Sequence, residues 1–108
     1  MKKRMNSGTF AAVAQRFRIL GVPLRLQILQ QLSDGEQSVS ELVQATGSSQ
    51  PNVSKHLATL LSHGFVKRAQ RGNTAFYTVT DKTIFELCDL VCGTIENSLA
   101  RQKEMLEG

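Results

Sequence analysis

The sequence predicts a mainly α-helical domain of about five helices carrying one β-hairpin, and three stretches predict it. Ser38-Val39-Ser40-Glu41 is a capping box, so a short helix opens there. Ser48 to Leu61 is polar and small in its first half and apolar at helical spacing in its second. Phe65 to Gln70 and Thr74 to Val79 are β-rich runs joined through Arg71-Gly72-Asn73, and Gly-Asn is a hairpin signal. A short capped helix, a glycine turn, an amphipathic helix and a hairpin in this order make a winged helix-turn-helix.

Size and composition agree with one such domain. The chain has 108 residues, of which 41% are hydrophobic, enough for a core and too many for a disordered chain. No apolar run has the length of a membrane span, and the N-terminus lacks the apolar segment of a secretion signal, so a cytoplasmic protein with no membrane partner is expected. The net charge of +4 matters less than its distribution. Between Glu41 and Asp81 there is no acidic residue, while Lys55, Lys67, Arg68 and Arg71 fall inside that interval. The half of the chain that holds the helix-turn-helix and the wing is therefore purely basic.

Taken in order, residues 1–8 form a polar arm with Lys2, Lys3 and Arg4 and no apolar period, and are expected to be mobile. Residues 9–106 form the single domain. Thr9 caps a first helix to Leu20 with Phe10, Val13, Phe17 and Leu20 on one stripe. Gly21-Val22-Pro23 breaks it, and Pro23 starts a second helix whose Leu24, Ile28, Leu29 and Leu32 are spaced for burial. Residues 33–37 are a loop into the capping box, and Val39 to Ala45 is a short helix packed through Val39, Leu42 and Val43. Gly47, in the following turn, stands where a positive φ is needed.

The next helix carries the chemistry. Val53, Leu57, Leu60 and Leu61 define its buried stripe, which leaves Gln50, Asn52, Ser54, Lys55 and His56 facing outward near its start. Pro51 is tolerated because first-turn amides have no intrahelical partner to lose, and Ser48 or Ser49 serves as N-cap. Amide side chains suit the edge of adenine in a major groove, and hydroxyls and N-terminal amides suit phosphate. The expected DNA contacts are Ser49, Gln50, Asn52, Ser54, Lys55 and His56, with Lys67, Arg68 and Arg71 of the wing on the backbone. In the wing, Val66 is expected opposite Val79 and Arg68 opposite Tyr77. His63 ends the helix, where the dipole favours it.

Thr80 caps a long last helix from Asp81 to about Met105 along Ile84, Leu87, Cys88, Val91, Ile95 and Leu99. Gly93 inside it costs about 1 kcal/mol relative to alanine, a cost that close approach of another backbone would explain. The terminal helices are longer and more apolar than the small core requires. Phe10, Val13, Phe17, Ile84, Val91, Ile95 and Leu99 are therefore assigned to a homodimer interface. The partners expected are a second copy of the chain and double-stranded DNA with an imperfect palindrome.

Pro23-Leu24-Arg25-Leu26-Gln27-Ile28-Leu29, Ser40-Glu41-Leu42, Ser49-Gln50-Pro51-Asn52-Val53-Ser54-Lys55-His56-Leu57, His63-Gly64-Phe65-Val66 and Arg71-Gly72 resemble the ArsR/SmtB family of bacterial repressors. The resemblance runs from about Phe10 to Leu99 and implies a dimeric repressor that leaves its operator when an inducer binds. Members with a thiolate site ahead of the recognition helix carry cysteines where this chain reads Glu41-Leu42-Val43-Gln44-Ala45. Members with a zinc site in the last helix carry histidines there, and this helix has none.

Cys88 and Cys92, the only cysteines, lie four apart on the last helix. Their sulfurs share one face, suited to arsenite or another soft metal ion or to reversible thiol oxidation, with a further ligand from elsewhere. The other reading is that both pack as small hydrophobes. A regulator without a small inducer and a winged-helix protein-interaction module are the alternatives in function. An enzyme is not expected, because the chain has no nucleophile-base-acid set, no glycine-rich phosphate loop and no clustered carboxylate pair.

Overall fold

The computed structural model describes residues 4–107. Its elements are α1 (Ser7–Leu20), α2 (Pro23–Gln31), a single 3-10 turn (Leu32–Asp34), β1 (Gln37–Ser38), α3 (Val39–Thr46), α4 (Gln50–Ser62), β2 (Val66–Arg71), β3 (Thr74–Val79) and α5 (Thr83–Glu107). The arrangement is a winged helix-turn-helix: α2, α3 and α4 pack around one core, and the hairpin stands beside α4.

Local chemistry explains most of the boundaries. Pro23 opens α2, and Ser38 accepts from the Glu41 amide at 3.2 Å while the Glu41 carboxylate accepts from the Ser38 amide at 3.0 Å. Both halves of the capping box are therefore formed. Gly47 closes α3 at φ 71°, a left-handed conformation that a side chain would strain.

Two helix starts differ from expectation. Asn6, rather than Thr9, caps α1, because its Oδ1 reaches the Thr9 amide at 2.9 Å, so Ser7 and Gly8 belong to the helix and not to the arm. Lys2 and Lys3 lie outside the described residues. At α5 the cap is not Thr80, whose hydroxyl donates to the Gly64 carbonyl at 2.6 Å and ties the wing exit to the end of α4. The Asp81 carboxylate accepts instead from the Thr83 amide and hydroxyl at 2.9 and 2.8 Å. These bonds hold its pKa below the usual aspartate value.

The sheet has three antiparallel strands in the order β1-β3-β2. Val66 pairs with Val79 and Arg68 with Tyr77, the expected hairpin register, and Gly72 takes φ 60° at the tip. The segment read as a loop up to Gln37 in fact contributes the 3-10 turn and β1, with Gln37 opposite Tyr77 and Ser38 opposite Phe76. A strand this short carries no alternating pattern, so pairing with β3 creates it.

Ile28, Leu29, Leu32, Leu42, Val53, Leu57, Leu60 and Val66 are almost fully buried, joined by Leu20 and Phe65. Leu61, expected on the same stripe, is 38% exposed. It sits at the rim, because eight residues at the helical repeat carry it well round from the line of Val53, Leu57 and Leu60. None of the 25 residues of α5 is buried, and only Ile84, Phe85 and Leu87 near its start pack against the core. No helix among the described residues is long and apolar enough to cross a membrane.

Candidate nucleic-acid interface

The outward face of α4 is built by its own start. Ser49 is the N-cap, its hydroxyl accepting from the Asn52 amide at 3.3 Å, and Pro51 fills the first turn. Gln50, Asn52 and Lys55 are exposed, and Ser54 and His56 are half-buried at the edge of the same face. The Gln50 amide donates to the Ser54 hydroxyl at 3.2 Å, which holds two candidate base-reading side chains together across one turn. The expected set on this helix is thus one contiguous polar surface beginning at a helix N-terminus, where amides and the dipole favour an anion.

His56 is held from outside its helix. The Arg25 Nε, on α2, donates to His56 Nδ1 at 3.0 Å, and Arg25 Nη1 donates to the Ile19 carbonyl at 3.1 Å. Burial, together with the positive charges of Arg25 and Lys55, pushes the His56 pKa below its ordinary value of 6.5. His63 caps the far end of α4, with its Nδ1 donating to the Thr59 carbonyl at 3.0 Å. It takes the C-terminal place expected of it.

The wing is less purely basic than its sequence. Lys67, Arg68 and Arg71 are exposed, and Arg68 donates to the Gln70 side chain at 2.7 Å. Arg71 lies over the Phe76 ring, 4.0 Å from its centroid, and forms a two-pronged ion pair with Glu36, one arm at 2.9 Å. The hydrogen bonds from Arg71 hold the Glu36 carboxyl below the usual glutamate range. Glu36 lies outside the acid-free interval in sequence and returns to it in space. No sequence signal pointed to Glu36 or Arg25, since each acts through a partner more than thirty residues away.

The second set of candidates lies on α1 and α5. Phe10 (50%), Phe17 (56%), Val91 (50%), Ile95 (56%) and Leu99 (60%) are exposed, which is costly for an apolar face in water. Val13 is half-buried, and Ile84 packs against the core of its own chain. Cys88 is half-buried in an open groove of about 460 Å³ between α2 and α5, next to Leu26 and Phe85. Cys92 is exposed, with its thiol 3.6 Å from a Glu96 carboxylate oxygen. That bond, with the charges of Glu96 and Asp89, pushes the Cys92 thiol pKa up. Among the described residues no three His, Cys, Asp or Glu side chains converge into a group that could hold a metal ion.

Comparison with known proteins agrees with this geometry. Residues 22–68, from the start of α2 into the wing, match the bacterial regulatory protein, arsR family. A Streptomyces lividans protein described as a probable mercury resistance operon repressor is 38% identical over 88 residues, spanning 81% of this chain and 70% of that one. The biofilm growth-associated repressor of Xylella fastidiosa is 34% identical over 87 residues, 81% of this chain and 72% of that one. The homodimeric winged helix-turn-helix DNA-binding domain of Mb0332 from Mycobacterium bovis superposes with a TM-score of 0.75 at 27% identity, over 94% of this chain and 95% of that one. A polar recognition face at a helix start, a basic wing and this extent of likeness place the chain in the arsR family of bacterial regulatory proteins, as a winged-helix DNA-binding transcriptional regulator and not an enzyme.

Proposed function

We propose that this protein is a cytoplasmic transcriptional repressor that binds a palindromic operator as a homodimer. The observation that carries the reading is the polar face of α4, with Ser49, Gln50, Asn52, Ser54, Lys55 and His56 on one surface at a helix start. Gln50 and Asn52 read base edges, Ser49 and Lys55 take phosphate, and Lys67, Arg68 and Arg71 grip the flanking backbone. Exposed phenylalanines on α1 and an uncovered α5 favour a second copy as the dimer partner, in keeping with the homodimeric Mb0332 domain. Two-fold symmetry then puts two copies of α4 about 34–36 Å apart, one turn of B-DNA, or a multiple of that.

Cys88 and Cys92 are the effector site in this reading, taking a thiophilic ion such as arsenite or undergoing thiol oxidation. Their place on α5 beside the dimer face, and the mercury resistance named for the Streptomyces lividans relative, support it. The absence of a third ligand among the described residues of one chain points to the second subunit or solvent for completion. Coupling to DNA runs through the dimer interface, because α5 sets the separation of the two recognition helices.

Fluorescence anisotropy with the reduced protein and its own upstream DNA, with and without arsenite or zinc and again after thiol oxidation, tests both parts. Specific, salt-sensitive binding is expected, with log K falling by about 0.9 per neutralised phosphate against log salt. Binding that does not change with salt overturns the repressor in favour of a protein-interaction module. A C88S/C92S double variant that responds to every effector as the parent does overturns the sensor and returns both cysteines to packing.

A further inference from the structure

Among the described residues, the His56 side chain is hydrogen-bonded through one ring nitrogen. Arg25 Nε donates to its Nδ1 at 3.0 Å. A guanidinium has donors and no acceptor, so Nδ1 must be the acceptor and carry no proton. The ring proton is then on Nε2, the neutral tautomer with its single donor on the far side of the ring. Among the described residues Nε2 makes no hydrogen bond and no buried side-chain polar atom lacks a partner, so Nε2 is open to solvent. Arg25 itself is anchored by the Ile19 carbonyl at 3.1 Å, which fixes the guanidinium against the end of α1. On α4, His56 follows the exposed Asn52 by one turn and so borders the same outward face.

We propose that Arg25 is a positioning residue for operator recognition: it clamps the His56 ring by Nδ1 so that Nε2–H stands as a fixed donor toward an acceptor on the DNA. The inference rests on α4 being the DNA-reading helix and adds a residue on α2, acting through His56, to what sets its contacts. The lowered pKa of His56 agrees with the clamp, since a protonated ring would point Nδ1–H at the Arg25 donors. A neutral donor also differs from a lysine in one measurable way. It releases no counterion from the duplex, so it contributes to affinity without adding to the salt slope.

The test is a double-mutant cycle with R25M and H56A in operator binding across a salt series, together with the imidazole nitrogen NMR spectrum of the parent above the ordinary histidine pKa. Each single variant is expected to weaken operator binding roughly tenfold, the scale of one hydrogen bond lost to a charged group. The double variant should lose no more than either single, all salt slopes should stay as in the parent, and R25K should recover part of the loss. The spectrum should show Nδ1 unprotonated and Nε2 protonated.

Additive losses in the cycle overturn the clamp, because Arg25 then acts separately from His56. A salt slope that drops by about one in R25M overturns it too, because Arg25 would itself be a phosphate contact. A proton on Nδ1 in the parent spectrum overturns it without any variant, so misfolding of R25M cannot hide the answer. Parent protein that binds no duplex removes the DNA-reading role of α4 as well, an outcome distinct from a parent that binds and gives an additive cycle.

Discussion

Arg71 at the tip of the wing is paired with Glu36, 35 residues earlier in the chain, across the face of Phe76. The wing cation proposed to grip the DNA backbone is therefore already held by a carboxylate, which a phosphate would have to displace to gain that contact. E36Q is expected to tighten binding to all duplexes by a few-fold at most, as befits an exposed ion pair. R71A should weaken all duplexes alike and reduce the salt slope by about one. Anisotropy titrations on operator and unrelated DNA at several salt concentrations measure both, and an effect of R71A confined to the operator would show that Arg71 reads sequence.

Leu57 and Leu61 stand one turn apart on α4 in very different surroundings. Leu57 is fully buried and Leu61 is 38% exposed. L57A should cost about 2–5 kcal/mol of stability, because it leaves a cavity where the surroundings relax only in part. L61A should cost less than about 1 kcal/mol in the isolated chain. Urea unfolding of the two variants gives the comparison, and equal losses would contradict the helix rotation described above.

Acid should loosen the protein through His56. Its pKa is lowered in the fold by burial and by the facing charges of Arg25 on α2 and Lys55 on α4. The unfolded chain therefore takes up the proton first, and the stability present above the ordinary value of 6.5 is lost as pH falls from there through the folded value. The difference in unfolding free energy between parent and H56Q, followed against pH, isolates this term from His63. A difference that does not vary with pH across that window would show that His56 does not feel these charges.

Gly93 lies in the middle of α5, and a β-carbon there would meet nothing within 4 Å in the single chain. G93A should therefore favour the isolated helix by about 1 kcal/mol. If a partner backbone approaches at this point, the same methyl group raises the dimer dissociation constant. Analytical ultracentrifugation is expected to show weaker association of G93A, and a variant that dimerises as tightly as the parent would move the close contact away from Gly93.

The elements whose signals are local were legible in the residues. The capping box at Ser38 and Glu41, Pro23 at the start of α2, Gly47 after α3 and the Gly72 turn each act within a few residues, and each formed as read. The starts of α1 and α5 were misplaced because several adjacent polar residues can cap a helix. Asn6 and Asp81 took the roles assigned to Thr9 and Thr80. The outward placement of Gln50, Asn52 and Lys55 followed from where Val53, Leu57 and Leu60 had to go.

The sequence by itself determined the helix-turn-helix, the hairpin register and the polar face of α4, because helical and strand periods and the caps and turns that bound them are short-range properties of the chain. Tertiary structure alone decided that Gln37 and Ser38 become a strand, that Glu36 returns to the wing to hold Arg71, and that Arg25 clamps His56. Each of these joins residues more than thirty positions apart. Hydrogen bonds and ion pairs over such separations leave no period in the sequence, since their geometry exists only once the core has brought α2, α4 and the sheet together.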